Sequence, residues 1–254
     1  MIRHHHARLR AFMIAFVCLI GVSAATPARA ASIVVEPGSL AGFIPLAAFG
    51  TGAQTVAADG VLNFTVPGVV FAGQTFNQIT MAENGYAVLG SHEASDAGTN
   101  QSLPNSTSPN AILAPFWTDL SGGELRVETL TDGVTDWFVM EWGNMTMAGG
   151  ATTSFQIWIG VSGSEDITFA YDPARMPSLP SSGLLTIGAE DPTGLFGMNY
   201  YYNGTGTLPR GDLRVTSDGL PAPTPVPEPA TMTLLGAGLV AMSGIARRRT
   251  ARRG

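Results

Sequence analysis

The sequence predicts an all-β protein: one antiparallel β-sandwich or jelly-roll-like domain, flanked by an N-terminal signal peptide and a C-terminal apolar helix. Three observations lead there. Between residues 61 and 216, short runs of β-branched and aromatic residues alternate with clusters of Gly, Pro, Asn and Asp, which is how strands and turns are written. Inside the runs, apolar residues recur at every second position. Phe155, Ile157, Ile159 and Val161 share one face, and Ile167, Phe169 and Tyr171 repeat the pattern, as a half-buried strand requires. No long stretch of the middle region shows the competing 3.6-residue stripe of an amphipathic helix.

Residues 1–30 come first, and they read as a secretory signal. Arg3, Arg8 and Arg10 precede the apolar stretch Ala11 to Ala25, followed by the small-residue pattern Ala28-Arg29-Ala30, so signal peptidase is expected to cut between Ala30 and Ala31. Fifteen apolar residues fall short of the roughly 20 needed to span hydrocarbon. Cys18 is the only cysteine and lies inside this stretch, and His4, His5 and His6 precede it. The exported portion therefore has no thiol and a single imidazole, His92, which excludes disulfides, zinc–thiolate sites and cysteine nucleophiles.

The domain itself is expected over residues 31–219, with its strand-rich core at about 60–217. Candidate strands are 61–66, 76–81, 86–90, 111–117, 125–130, 137–142, 153–161, 166–171, 184–189, 197–202 and 213–216. All thirteen basic residues of the chain are arginine, and only Arg126, Arg175, Arg210 and Arg214 lie between residues 31 and 228, against 19 acidic residues, a net charge of −15. Such a field repels nucleic acid and anionic lipid, so no nucleic-acid partner is expected. The connections at 91–109 and 173–183 are too long for hairpin turns and are the loops expected to carry a site.

The last elements follow in order. Leu220 to Pro229 (LPAPTPVPEP) is a proline-rich spacer. Ala230 to Ala246 is an uncharged stretch of seventeen residues, expected to be a membrane helix at the lower limit of length, and 247–254 is an arginine-rich tail that includes Arg247, Arg248 and Arg249. Basic flanks stay in the cytoplasm; both ends therefore place the acidic middle on the outside. Pro227-Glu228-Pro229, a short apolar span and a basic terminus together resemble the PEP-CTERM sorting signal of Gram-negative bacteria. That resemblance implies cleavage near Pro229 by an exosortase-type membrane peptidase, after an inner-membrane-anchored intermediate, and delivery to the outer surface or extracellular matrix.

Within the middle region Phe76-Asn77-Gln78-Ile79, Glu83-Asn84-Gly85-Tyr86-Ala87-Val88-Leu89-Gly90, Ala114-Pro115-Phe116-Trp117-Thr118-Asp119-Leu120, Phe138-Val139-Met140-Glu141-Trp142-Gly143-Asn144 and Thr186-Ile187-Gly188-Ala189-Glu190 follow one another as in a nidogen-like extracellular β domain. The resemblance implies an adhesive or scaffold module and carries over no catalytic residue.

The most site-like cluster in the sequence is Trp117, Asp119, Glu141 and Trp142, acids beside aromatics at strand ends. A carbohydrate platform would use the rings to stack on sugar faces and the carboxylates to accept hydroxyl protons; the plainer reading makes both tryptophans core and the acids turn caps. No cofactor is expected. Calcium is the one metal the composition suits, with Asp96-Ala97-Gly98-Thr99-Asn100 and Glu190-Asp191-Pro192-Thr193-Gly194 as oxygen-rich loops, although ordinary solvated turns explain both. Tyr200-Tyr201-Tyr202, at a strand end before Asn203-Gly204, offers aromatics to a partner, although a strand with one buried face explains two of the three. The function expected is a non-enzymatic binding domain for extracellular polysaccharide or a surface protein; the alternative is a secreted carbohydrate-active hydrolase with a carboxylate pair.

Overall fold

The structure is a computed structural model, and the residues it describes are 32–38, 42–90 and 98–218. They form fourteen strands: β1 (Ser32–Pro37), β2 (Val61–Phe71), β3 (Gln74–Ala82), β4 (Tyr86–Leu89), β5 (Ile112–Trp117), β6 (Leu120–Ser121), β7 (Glu124–Thr131), β8 (Asp136–Met147), β9 (Thr152–Gly160), β10 (Ile167–Tyr171), β11 (Thr186–Glu190), β12 (Gly197–Tyr202), β13 (Thr205–Gly206) and β14 (Leu213–Asp218). Two short 3-10 helices, Leu46–Phe49 and Pro173–Arg175, complete the list. The signal peptide, the linker, the apolar stretch 230–246 and the arginine tail lie outside the described residues. Among the described residues no helix is long and apolar enough to cross a membrane.

Every strand pairing is antiparallel, in two seven-stranded sheets. The first runs β1-β14-β10-β9-β8-β6, with β7 also on β8, and the second runs β13-β12-β11-β5-β4-β3-β2. Each of the eleven strands expected from sequence is present. The three not expected are β1, which lies just past the predicted cleavage site, and the two-residue strands β6 and β13, too short to show any periodicity.

Alternation works where one face meets the opposite sheet. Phe155, Ile157 and Ile159 of β9 pack in the central core with Phe71, Ile79, Met81, Leu113 and Phe116 from the other sheet. Each large side chain buried there contributes about 1.5–3 kcal/mol. Two buried donors stitch the sheets together: Trp142 Nε1–H donates to the Ala82 carbonyl at 2.8 Å and Tyr171 O–H to the Pro115 carbonyl at 2.9 Å. Losing water pushes the Tyr171 phenol well above its ordinary pKa, so it stays a donor.

Alternation fails in β5, β10 and β11, which are buried at every residue, because the outer faces of both sheets are also covered. Residues 42–56 strap the first sheet, closing a small core of Leu46, Val139, Trp158 and Ala170. The strap is pinned from beneath. Glu141 Oε2 accepts from Leu46 N at 2.8 Å and from Gln156 Nε2 at 2.6 Å, while Gln156 also donates to the Ile44 carbonyl at 2.6 Å. Over the second sheet, Leu103 of the segment 98–110 closes a core with Tyr86, Val88, Ile112 and Trp117, and Asn100 Nδ2 donates to Thr186 Oγ1 at 2.9 Å.

The turn Glu83-Asn84-Gly85 shows how tightly these layers are drawn. Gly85 sits at φ 84°, and a Cβ added there would lie 2.1 Å from the Phe116 carbonyl oxygen. Gly85→Ala is expected to cost about 1–3 kcal/mol through backbone strain, read as a lower urea midpoint with an unchanged slope.

Register fixes which end of the sandwich is which. Ser32 pairs with Asp218 and Pro37 with Leu213, so the chain enters and leaves the domain side by side at one end, here called the base. Glu165 ties the base together, its carboxylate accepting from Ala72 N at 3.0 Å, from Ser217 N at 2.5 Å and from the Ser217 hydroxyl. Phe169 pairs with Leu213 and Tyr171 with Phe155, placing Pro37, Tyr171 and Leu213 at the opposite, far end. The Tyr171–Pro115 bond brings the Trp117 end of β5 there too. Through Thr186, which pairs with both Trp117 and Tyr202, the Tyr202 end of β12 follows.

Candidate functional site

The four residues singled out as a ligand surface do not make one. Trp142 lies between the sheets, fully buried and stacked on Phe155 at 5.2 Å. Trp117 is equally buried, on the opposite face of the second sheet, with its ring 4.4 Å from that of Tyr86. Glu141 is 3 % exposed beneath the 42–56 strap, where Arg126 also approaches its Oε1 at 3.5 Å. Asp119 alone is exposed, where the chain crosses from β5 to β6. In β8 the acid and the tryptophan are adjacent and so point to opposite faces, Glu141 to the strap and Trp142 to the central core, both covered; Trp117 faces the covered outer side of the second sheet. A glycosidase needs two carboxyls facing one cleft roughly 5–10 Å apart; Glu141 faces the strap.

The oxygen-rich loops offer a cation little. Asp191 is consumed in closing its own turn: Oδ1 accepts from Leu195 N at 3.1 Å and Phe196 N at 3.0 Å, and Oδ2 accepts from the Thr193 hydroxyl at 2.7 Å. Asp96 and His92 lie outside the described residues. Among the described residues no group of three or more His, Cys, Asp and Glu is arranged to hold a metal.

A groove of about 1,100 Å³ opens at the far end, slightly larger than the roughly 300–1,000 Å³ of typical ligand pockets. Three segments build it. The Pro173–Arg175 helix is started by Asp172, whose carboxylate accepts from Ala174 N at 2.9 Å, and it delivers Met176, Pro177 and Leu179 to one wall. Tyr200 and Tyr201 of β12 form the second wall. Beyond them the chain reverses at Asn203-Gly204, both at positive φ, as a two-residue hairpin turn demands. Gly206 then passes so close that a Cβ would lie 2.3 Å from the Tyr200 carbonyl oxygen. The returning segment supplies Leu208, Pro209 and Arg210 as the third wall.

Prolines and hairpin geometry hold these walls apart, so the groove is a product of the backbone rather than of a mobile side chain. Leu179 remains 49 % exposed and Tyr200 is half-buried, leaving apolar surface for a partner to cover. Among the described residues Arg210 is the only charged one that lines the groove; it is exposed and makes no ion pair with any of them. In a region carrying net −15, the described lining holds one arginine and no carboxylate, with Asp212 set between the lining residues Gly211 and Leu213 and turned to Tyr171 N. Two of its three walls were legible beforehand, in the long 173–183 connection and in the Tyr200–Tyr202 run. The third was not, since Leu208-Pro209-Arg210 reads as an ordinary turn until folding brings it beside the tyrosines.

A family model described as NIDO related matches residues 42–216, and a second, described as a PEP-CTERM protein-sorting motif, matches residues 225–252. No curated protein and no solved structure matches the chain.

Proposed function

Because this chain belongs to the NIDO-related family and carries a PEP-CTERM sorting motif, we propose that it is an exported surface or matrix protein whose sandwich acts as a non-enzymatic binding module. Its C-terminal segment holds it at the inner membrane until an exosortase-type peptidase cuts near Pro227-Glu228-Pro229. The domain is then displayed at the cell surface or in the extracellular matrix, where the groove meets polysaccharide or another surface protein.

The observation that carries this reading is the pairing of Ser32 with Asp218. It hangs the domain from its base, so that the Tyr200–Arg210 groove points away from whatever holds the tail. Apolar walls with one cation suit recognition: they offer area and a single orienting charge.

Two measurements test the reading. Mass spectrometry of the terminal peptides of the surface-displayed protein is expected to find Ala31 first and nothing beyond the linker; mature protein that still carries Arg252 and Arg253 would refute processing. Arg210→Glu, at the surface of the fold, is expected to lower retention in the cell-surface fraction about tenfold at unchanged thermal stability, and Tyr200→Ala, half-buried against the central core, to lower it as much with some loss of stability. Equal retention of both variants would remove the groove from the function.

A further inference from the structure

The groove and the sorting linker are complementary, and we propose that the groove of one molecule takes the segment Leu220–Pro229 of a neighbouring copy, joining exported domains end to end. The proposal rests on the groove being the binding site, and adds what fills it.

Chemistry comes first. Leu220–Pro229 places proline at every second position (221, 223, 225, 227 and 229) and has one charge, Glu228. Alternating prolines favour the extended polyproline II form, which is recognised by grooves lined with aromatic rings because little ordering entropy is lost on docking. Tyr200 provides the accessible ring, backed by the buried Tyr201, Met176, Leu179 and Leu208 the apolar contacts, and Arg210 the single partner for a single carboxylate. Most other surfaces of this domain are poor in arginine: Arg126 is buried and paired with Glu124 at 2.7 Å. Arg175 and Arg214 sit directly beside the groove residues Met176 and Leu213 in sequence, as Asp212 does beside Leu213, so Arg210 is the one charge that the described lining itself carries.

Geometry then selects a neighbouring copy over the same one. β14 runs from Leu213, on the groove, to Asp218, at the base, a rise of about 17 Å at 3.4 Å per residue. The linker therefore starts at the end remote from its own groove; at about 3.1 Å per residue its ten residues reach about 31 Å, long enough for either groove, but β14 aims the stiff proline-rich segment away from its own, and only a neighbour's groove is met without a reversal of the chain. Docked into the next molecule, it links base to far end. Such a contact is heterologous, using different surfaces on the two partners, and heterologous contacts that do not close into a ring propagate as open chains. Cleavage near Pro229 would then free the linker from the membrane and permit assembly, so polymerisation would wait for export.

The test uses the protein recovered from the cell surface together with a synthetic LPAPTPVPEP peptide. Sedimentation velocity is expected to show an open series of oligomers growing with concentration and dispersed by excess peptide. Calorimetry is expected to show peptide binding weakened at least tenfold by Tyr200→Ala and by Arg210→Glu, and restored on Arg210→Glu by a peptide carrying Glu228→Arg. That charge-swap rescue is a readout that misfolding cannot produce. A monomer at all concentrations, a mature C-terminus that ends before Leu220, or peptide binding indifferent to Arg210→Glu would each overturn the proposal. If the peptide leaves the groove tyrosine NMR signals unmoved while an anionic oligosaccharide shifts them, end-to-end joining is wrong and the groove stands as a binding site. If neither shifts them, both fall.

Discussion

Trp142→Ala is expected to destabilise the domain by about 3–5 kcal/mol and to leave the far-end groove's ligand preference unchanged. The indole is fully buried in the central core, stacked on Phe155, and donates to the Ala82 carbonyl across the two sheets. Truncation loses the transfer free energy of a large aromatic, opens a cavity that antiparallel ladders on both sides cannot collapse into, and strands a buried carbonyl. Trp142→Phe separates these contributions. It keeps most of the packing and forfeits the N–H bond, for an expected loss of about 1–2 kcal/mol. Urea unfolding of the three proteins decides the matter. A folded Trp142→Ala with near-normal stability and lost carbohydrate affinity would return this residue to the ligand surface from which the structure removes it.

That tryptophan also shows where the sequence stops being informative. Runs of β-branched and aromatic residues between turn clusters locate every long strand, and at 153–161 and 166–171 the apolar residues also recur at every second position. They could not say which strands have two buried faces. In β8, Met140 and Trp142 look into the central core while Val139 and Glu141 look outward, and outward ordinarily means solvent. Here it means the 42–56 strap, whose residues Phe43, Ile44 and Leu46 carry no period and were not assigned to any element. A carboxylate beside a tryptophan on a strand therefore reads as a site when it is in fact an anchor, with Glu141 accepting from Leu46 and Gln156. The groove was half visible for the converse reason. Tyr200–Tyr202 and the 173–183 connection are conspicuous locally, whereas their meeting with Leu208-Pro209-Arg210 depends on β12, β13 and β14 returning to the same end, a long-range fact that no local pattern encodes.

The largest pH effect is expected from Glu190, and its sign is opposite to that of an ordinary salt-bridged acid. Glu190 closes β11 with no exposure to water. Oε2 accepts from Asn105 N at 2.7 Å, and Oε1 is buried without a partner. Burial raises its pKa from 4.5 to about 7, with the Asn105 N–H opposing and the neighbouring Asp191 charge adding to the rise. Burial likewise raises Glu83, against the Asp59 and Gly60 backbone donors and with the charges of Asp59 and Asp119. Below about pH 4.5 the Glu190 carboxyl is protonated in the folded and unfolded chain alike. Between 4.5 and 7 only the folded chain holds the proton, so stability falls as pH rises through this window and levels off above it. At 1.36 kcal/mol per pKa unit the loss is at most about 3 kcal/mol. Glu190→Gln has no proton to lose. Urea midpoints taken at pH 5, 7 and 8 are expected to fall steeply for the native protein and only slightly for Glu190→Gln, the remaining slope belonging to Glu83. Identical slopes would mean that Glu190 titrates alike in both states, and that the segment Asn100–Asn110 does not seal it from water as the structure has it.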